Sequence, residues 1–298
     1  MTRELPLTFS CQGDCLLGIL HLPAQPAKRG VVVVVGGPQY RVGSHRQFVL
    51  FARDMAAAGI AVMRFDYRGM GDSAGEPGTP EPCEHLGPDL HAAIDEFFTQ
   101  VPELHDVVIW GLCDGASAAA LYAHSDPRVA GVVLMNPWVS TQPGAAKTYL
   151  KHYYTRRFFN RDLWHKVLRG EADLWASLSA FVRTVVASLR GGTPPAEATA
   201  DETLADAGPT EVSSSSPIQQ RMALSLSNFP GRILLILSGN DLIAAEFKDM
   251  AAASKQWRKL LRSARVTRHD FTQADHTFSR RAWRDQVTAW TRDWLKSW

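Results

Sequence analysis

With 298 residues, the chain has room for one large domain or two of roughly 150 residues each, and it can bury a sizeable core without disulfides or metals. Apolar residues make up 45% and charged ones 21%, globular proportions that exclude a disordered or fibrous chain. The 32 Lys and Arg nearly balance 30 Asp and Glu, which excludes an overall nucleic-acid-type charge. The longest strongly apolar run, Val31 to Val35, falls far short of the ~20 residues of a membrane helix. Met1 to Pro6 has no secretory h-region, so neither a membrane span nor classical export is expected. The cysteines, at 11, 15, 83 and 113, lack zinc-ligand spacing. A reduced, cytoplasmic setting is expected, with no metal and no cofactor.

In chain order, Leu16 to Leu22 reads as a short apolar strand. Val31 to Val35 is β-branched throughout and ends at Gly36-Gly37-Pro38, which suits a strand covered on both faces of a parallel sheet. His45 to Ala58 carries Phe48, Phe51, Ala52 and Met55 at helical spacing, with Gly59 as its stop signal. A strand follows at Ile60 to Phe65, then a helix at Leu86 to Val101, a strand at Val107 to Trp110, a helix of small residues at Ala116 to Ala123, and a strand at Val129 to Met135. Repeated β-α-β units predict an α/β architecture with an open, mostly parallel, doubly wound sheet. The pattern breaks from Lys147 to Leu189, a long helical stretch rich in aromatics. Residues 191–217 carry five acids, no base and four prolines, the composition of a solvated linker or loop. The sheet resumes at Ile233 to Leu237 and Ala264 to His269, and a helix spans Arg280 to Trp298. The organisation predicted is a core of residues 1–140 and 218–298, a helical cap at 141–190 and an acidic linker at 191–217.

Chemistry concentrates where strands end. Gly111-Leu112-Cys113-Asp114-Gly115 lies between a strand and a helix and has the pattern of a nucleophile elbow, with Cys in the place more commonly held by Ser. Glycines two residues to either side relieve the crowding around a strained turn. The free N–H groups and dipole of the following helix favour a thiolate. Ser238-Gly239-Asn240-Asp241 places a carboxylate beyond one strand, and Gln273-Ala274-Asp275-His276 places an imidazole beyond another. Sites in open parallel sheets collect at these carboxyl edges. Cys113, Asp241 and His276 are therefore expected to converge, with His276 taking the thiol proton and Asp241 orienting the ring. Ser117, four residues into the helix, is on the wrong side of the elbow to attack.

Arg64-Phe65-Asp66-Tyr67-Arg68-Gly69-Met70-Gly71-Asp72-Ser73 is similar to the turn after the fourth strand of the α/β-hydrolase superfamily, which the chain resembles over nearly its whole length. More narrowly, Gly36 to Arg46 and Trp110 to Asp114 resemble the exosortase A system-associated hydrolase 1 group, named for bacterial gene clusters that serve surface polysaccharide and protein sorting. The resemblance implies an α/β-hydrolase fold with a helical cap and a cytoplasmic hydrolase-type enzyme. Superfamily members commonly have His-Gly near the third strand, just before a backbone oxyanion donor. Here the sequence is Gly36-Gly37-Pro38-Gln39, and Pro38 has no N–H. The donors are assigned to the amides of Gln39 and Asp114.

Lys147 to Arg169 interleaves seven Lys or Arg with Tyr149, Tyr153, Tyr154, Phe158, Phe159 and Trp164. As a cap it would suit a CoA or phosphopantetheine thioester, and no nucleic-acid partner is expected. Arg41, His45, Arg46 and Trp138 are the expected substrate contacts at the mouth. The reaction expected is hydrolysis or transfer of an ester or thioester through a cysteine acyl-enzyme. The alternatives are a dienelactone-type lactone hydrolase and a catalytically silent binding protein that keeps the fold.

Overall fold

The computed structural model describes residues 1–37, 39–76, 82–139 and 216–298. Eight strands form one sheet: β1 (Arg3–Cys11), β2 (Asp14–Leu22), β3 (Arg29–Val34), β4 (Ala61–Phe65), β5 (Asp106–Leu112), β6 (Val129–Met135), β7 (Arg232–Asn240) and β8 (Val266–Asp275). Their order is β1-β2-β4-β3-β5-β6-β7-β8. The β1–β2 and β2–β4 pairs are antiparallel; β4-β3-β5-β6-β7-β8 run parallel. Helices α1 (Gln47–Ala57), α2 (Gly87–Gln100), α3 (Asp114–Tyr122), α4 (Ile218–Asn228), α5 (Leu242–Ala253), α6 (Lys255–Leu261) and α7 (Arg281–Lys296) cover it. The expected cap and all but the last two residues of the expected linker lie outside the described residues.

The all-valine run predicts a strand buried on both faces, and its alternation builds two cores. Val32 and Val34 join Met63, Ile109 and the apolar faces of α2 to α6. Val31, Val33 and Val35 point the other way, onto Phe48, Phe51 and Met55 of α1 and Trp294 and Leu295 of α7. Phe51 stacks on Trp110 at 4.5 Å and Phe48 meets the same ring edge-on at 5.5 Å. No helix among the described residues is long and apolar enough to cross a membrane.

Two strand-flanking features differ from the expectation. β1 was not anticipated, because Arg3-Glu4-Leu5-Pro6 opens polar; it is held by its register against β2 from Arg3↔Leu22 to Cys11↔Asp14. The helix predicted from Ala116 begins at Asp114, immediately after Cys113, whose φ of 57° and ψ of −122° make the elbow. Close backbone approach explains the glycines there. A Cβ on Gly111 would lie 2.3 Å from the Gly115 oxygen and 2.6 Å from the Ala116 nitrogen, backbone atoms that cannot swing aside.

Gly111→Ala is therefore expected to lower stability by about 1–3 kcal/mol, the usual cost of overpacking. A Cβ on Gly87 would meet only Tyr122, at 3.9 Å, so Gly87→Ala is expected to hold or raise the melting temperature. Thermal unfolding of the two variants beside wild type checks the contrast.

Candidate active site

Five loops leave the carboxyl edge of the parallel strands, and each delivers one part of the site. Cys113 follows β5, Asn136 to Trp138 follow β6, Asp241 follows β7, His276 follows β8, and Gly36 to Arg46 follow β3. Asp241 caps α5, with Oδ1 accepting from the Ile243 amide at 3.1 Å and Oδ2 from the Ala244 amide at 3.2 Å. That cap fixes the carboxylate, and Oδ2 also meets His276 Nδ1 at 2.8 Å. The Asp241 side chain is buried, whereas the His276 ring stays about one-third exposed (32%). A buried carboxylate on Nδ1 selects the tautomer with its proton on that nitrogen, leaving Nε2 as the basic position.

The backbone of His276 is held separately. Asn136, fully buried with φ of 43°, donates from Nδ2 to the His276 carbonyl at 2.9 Å and to Ser238 Oγ at 2.9 Å. Its Oδ1 accepts from the Ser238 amide at 2.8 Å. Sequence analysis assigns Asn136 no role. A carboxamide closing an otherwise apolar strand was the available signal for a positioning residue. Asp270 pairs with Arg268 and Lys248, and Asp275 binds the Ser279 amide and hydroxyl, so neither flanking acid is bonded to the imidazole.

The nucleophile candidate behaves differently from the expectation. Cys113 Sγ donates to Asp114 Oδ1 at 3.8 Å, and no sulfur–imidazole hydrogen bond occurs among the described residues. Burial above all, and then the Asp114 charge, push the thiol up to about 12, with Asp241 adding in the same direction. The Asp114 amide acts the other way and does not win. In the resting molecule, burial first and then the Asp114 carboxylate at the same helix start oppose the helix-assisted thiolate expected from sequence. Burial also raises the Asp114 carboxyl above its usual range, against the thiol hydrogen, the Gly37 amide and the His276 charge.

Gln39 is at the expected loop, but its amide donates to the Gly37 carbonyl at 2.8 Å, in a tight turn that Gly37 enters at φ of 63°. As an oxyanion donor it must first leave that bond. Tyr67 braces the turn from outside, its hydroxyl reaching the same carbonyl at 3.5 Å.

Arg41 corrects a second expectation. Its guanidinium is paired with the fully buried Asp66 and, at 2.7 Å, with Asp72, and its amide donates to Asp66 at 2.6 Å. Arg64 bonds the Arg41 carbonyl at 2.5 Å, so the residue locks two loops together and brings no free cation to the mouth. His45 and Arg46 are exposed, both with positive φ. His45 lies near Asp275, whose carboxyl is kept below its usual range, against burial, by Ser279, Thr277 and that imidazole. Trp138 is half-buried beside the elbow, its amide 3.4 Å from the Cys113 carbonyl. Ser117, buried, donates to the Trp138 carbonyl at 2.5 Å and faces away from any attack.

With this geometry in place, comparison with known proteins is informative. Residues 26–173, just under half of the chain, match the serine aminopeptidase S33 family model of hydrolases. The esterase Pf2001 of Pyrococcus furiosus superposes with a TM-score of 0.63 at 14% identity, over 99% of this chain and 91% of that one. The chain has the α/β-hydrolase fold. Est1E of Butyrivibrio proteoclasticus, solved with ferulic acid, gives 0.58 at 15% identity over 97% of both chains. The α/β hydrolase GrgF of Penicillium sp. sh18 gives 0.60 at 16% identity over 99% and 98%. A polyketide transferase, grgF of a Penicillium species, is 31% identical over 85 residues. That match spans 28% of this chain and 29% of the transferase. The S33 description names serine enzymes, whereas the elbow of this α/β-hydrolase-fold chain holds Cys113.

The raised thiol has a spectroscopic consequence. The ultraviolet thiolate absorbance of wild type minus Cys113→Ala is expected to stay flat through the range where a free thiol titrates, about 8.5. It should rise only under strongly alkaline conditions; a difference band at neutral pH would contradict the assignment.

Proposed function

We propose that this protein is a cysteine-nucleophile α/β hydrolase acting on an ester or thioester through an acyl-enzyme. The observation that carries the reading is the 2.8 Å bond between a buried, helix-capping Asp241 and Nδ1 of His276, on the same sheet edge as the strained Cys113. In apo proteins the contact between base and nucleophile is often open and closes only with substrate bound. His276 Nε2 then takes the thiol proton as the sulfur electron pair attacks the acyl carbon. The carbonyl π pair moves to oxygen, where the Asp114 amide, joined by the Gln39 amide once released from Gly37, stabilises the charge. Collapse breaks the bond to the alcohol or thiol leaving group, which takes its proton from His276. An acceptor deprotonated by His276 attacks the resulting thioester and regenerates Cys113.

Water as acceptor makes the enzyme an esterase or thioesterase; a hydroxyl or amine makes it an acyltransferase. The short match to a protein named a polyketide transferase supports transfer. Carrier-bound substrates, CoA or phosphopantetheine thioesters, are proposed from the basic aromatic sequence of 147–169. A cytoplasmic setting beside exosortase-associated surface assembly is proposed from the resemblance of 36–46 and 110–114 alone. The protonated resting thiol and its turn toward Asp114 favour a second reading, a silent binding protein that keeps the fold.

Turnover separates the two. With p-nitrophenyl esters, acyl-CoA thioesters and lactones as a panel, Cys113→Ala is expected to lose at least about a thousandfold in kcat, as loss of a nucleophile does elsewhere. Asp241→Asn keeps a capping oxygen for α5 but alters the imidazole tautomer, so a fall of about a hundredfold or more with little change in melting temperature is expected. Equal turnover in wild type and Cys113→Ala would remove the cysteine mechanism.

A further inference from the structure

The side chain of Asp114 has no place in the mechanism above, which uses only its amide, yet it lies directly against the sulfur. It starts α3, it accepts the Cys113 thiol hydrogen at 3.8 Å, and it faces the Gly36–Gly37 turn. A Cβ built on Gly37 would lie 3.9 Å from Asp114 Oδ2, and the Gly37 amide stabilises the carboxylate charge. The carboxylate therefore sits among the thiol, the loop after β3 and the start of α3, the region where an oxyanion would develop.

We propose that the Asp114 carboxylate is the resting partner of Cys113, holding the sulfur protonated and filling the oxyanion position until a substrate carbonyl displaces it. This rests on the reading of Cys113 as nucleophile. A thiol that donates to an anionic acceptor keeps its proton, and a carboxylate already at the anion position repels an adventitious oxyanion. Displacement by a carbonyl would free both together: the S–H turns from Asp114 toward His276, and the amides meet the substrate oxygen.

The surrounding groups make the arrangement selective. Those acting on the thiol and its partner are Tyr67 from the turn after β4, Asp241 from the start of α5 and His276 after β8. Arg41, on the loop after β3, is bound to Asp66 and Asp72. Two carboxylates beside the thiol, with the Arg41 guanidinium already paired, favour a neutral acyl group over one bearing its own carboxylate, since like charges repel strongly in a partly desolvated site. A dienelactone-type substrate with a free carboxylate fits this environment poorly.

Alkylation of the substrate-free protein tests the proposal without depending on turnover. Iodoacetamide modification is followed at the Cys113 peptide by mass spectrometry in wild type, Asp114→Asn and Asp114→Ala. The rate at neutral pH is expected to rise by about tenfold or more in both variants, the change in thiolate fraction that one pKa unit brings. The anionic reagent iodoacetate should lag behind iodoacetamide at Cys113 in wild type and regain ground in Asp114→Asn. Buried Cys11 and Cys83 serve as internal reporters that each variant stays folded. If the alanine variant exposes them, the isosteric Asn variant decides. An unchanged or slower Cys113 rate in folded Asp114→Asn overturns the proposal. Retained turnover in Cys113→Ala would instead sink the nucleophile reading, so the two failures are distinguishable.

Discussion

A backbone-to-backbone approach at the end of β3 and β5 sets everything else in this molecule. A Cβ on Gly36 would lie 2.4 Å from the Leu112 oxygen and 2.5 Å from the Gly115 nitrogen; one on Gly115 would lie 2.4 Å from the Val34 oxygen. With Gly111, these residues let the loop after β3 and the first turn of α3 touch with no side chain between them. That contact brings the Gly37 amide, the Asp114 amide and the sulfur of Cys113 to one place. It also forces Cys113 into left-handed φ, a strain on the order of 1–3 kcal/mol that persists only because the sheet and α3 over-determine it. The pair of valine-lined cores on either side of β3 supplies that rigidity.

Given such a turn, the charge state of the sulfur is decided by competing magnitudes. A helix start stabilises a nearby anion by about 0.3–1 kcal/mol, rising to ~2 in favourable buried cases. Desolvating a thiolate costs several kcal/mol unless a partner cation compensates, and here the nearest bonded partner is a carboxylate. Burial and like charge win. Under the proposed mechanism, base and nucleophile would then act together on a bound carbonyl, with no preformed thiolate waiting for substrate.

Much of this was legible in the residues, and the failures share a cause. Strand positions followed from β-branched runs and terminal glycines, because burial on both faces leaves a local signature. The order of thiol, carboxylate and imidazole was legible because each sits just past a strand. Where a side chain or amide turns at the edge was not. Asp241 was read as an acid, but its position before Leu242–Ala253 as a helix cap went unread, so α5 was missed. Gln39 is the expected donor because Pro38 lacks an N–H, yet the Gly37 carbonyl occupies the Gln39 amide. Arg41 looked free because its partners, Asp66 and Asp72, lie on a loop 25 and 31 positions away in sequence. Asp114 was reduced to its backbone, since nothing local says that its carboxylate faces the sulfur.

The two halves of the site are held to different degrees, and this locates the motion that chemistry would need. Asp241 is fixed by two amides of α5, and the His276 backbone is fixed by Asn136, itself clamped to Ser238 across β6 and β7. These bonds are buried or partly buried and come from the sheet edge. The acid–base pair is therefore preorganised by the start of α5 and by Asn136 just past β6. Cys113, by contrast, shares a single 3.8 Å contact with Asp114, and sulfur is a weak donor. A one-bond rotation of each side chain exchanges that contact for others at little cost. Breaking the Asp241–His276 pair would instead leave a buried carboxylate without its imidazole partner. Under the proposed mechanism, a reacting carbonyl would meet a fixed base and an adjustable sulfur, and substrate binding would couple to activation through the Cys113–Asp114 contact.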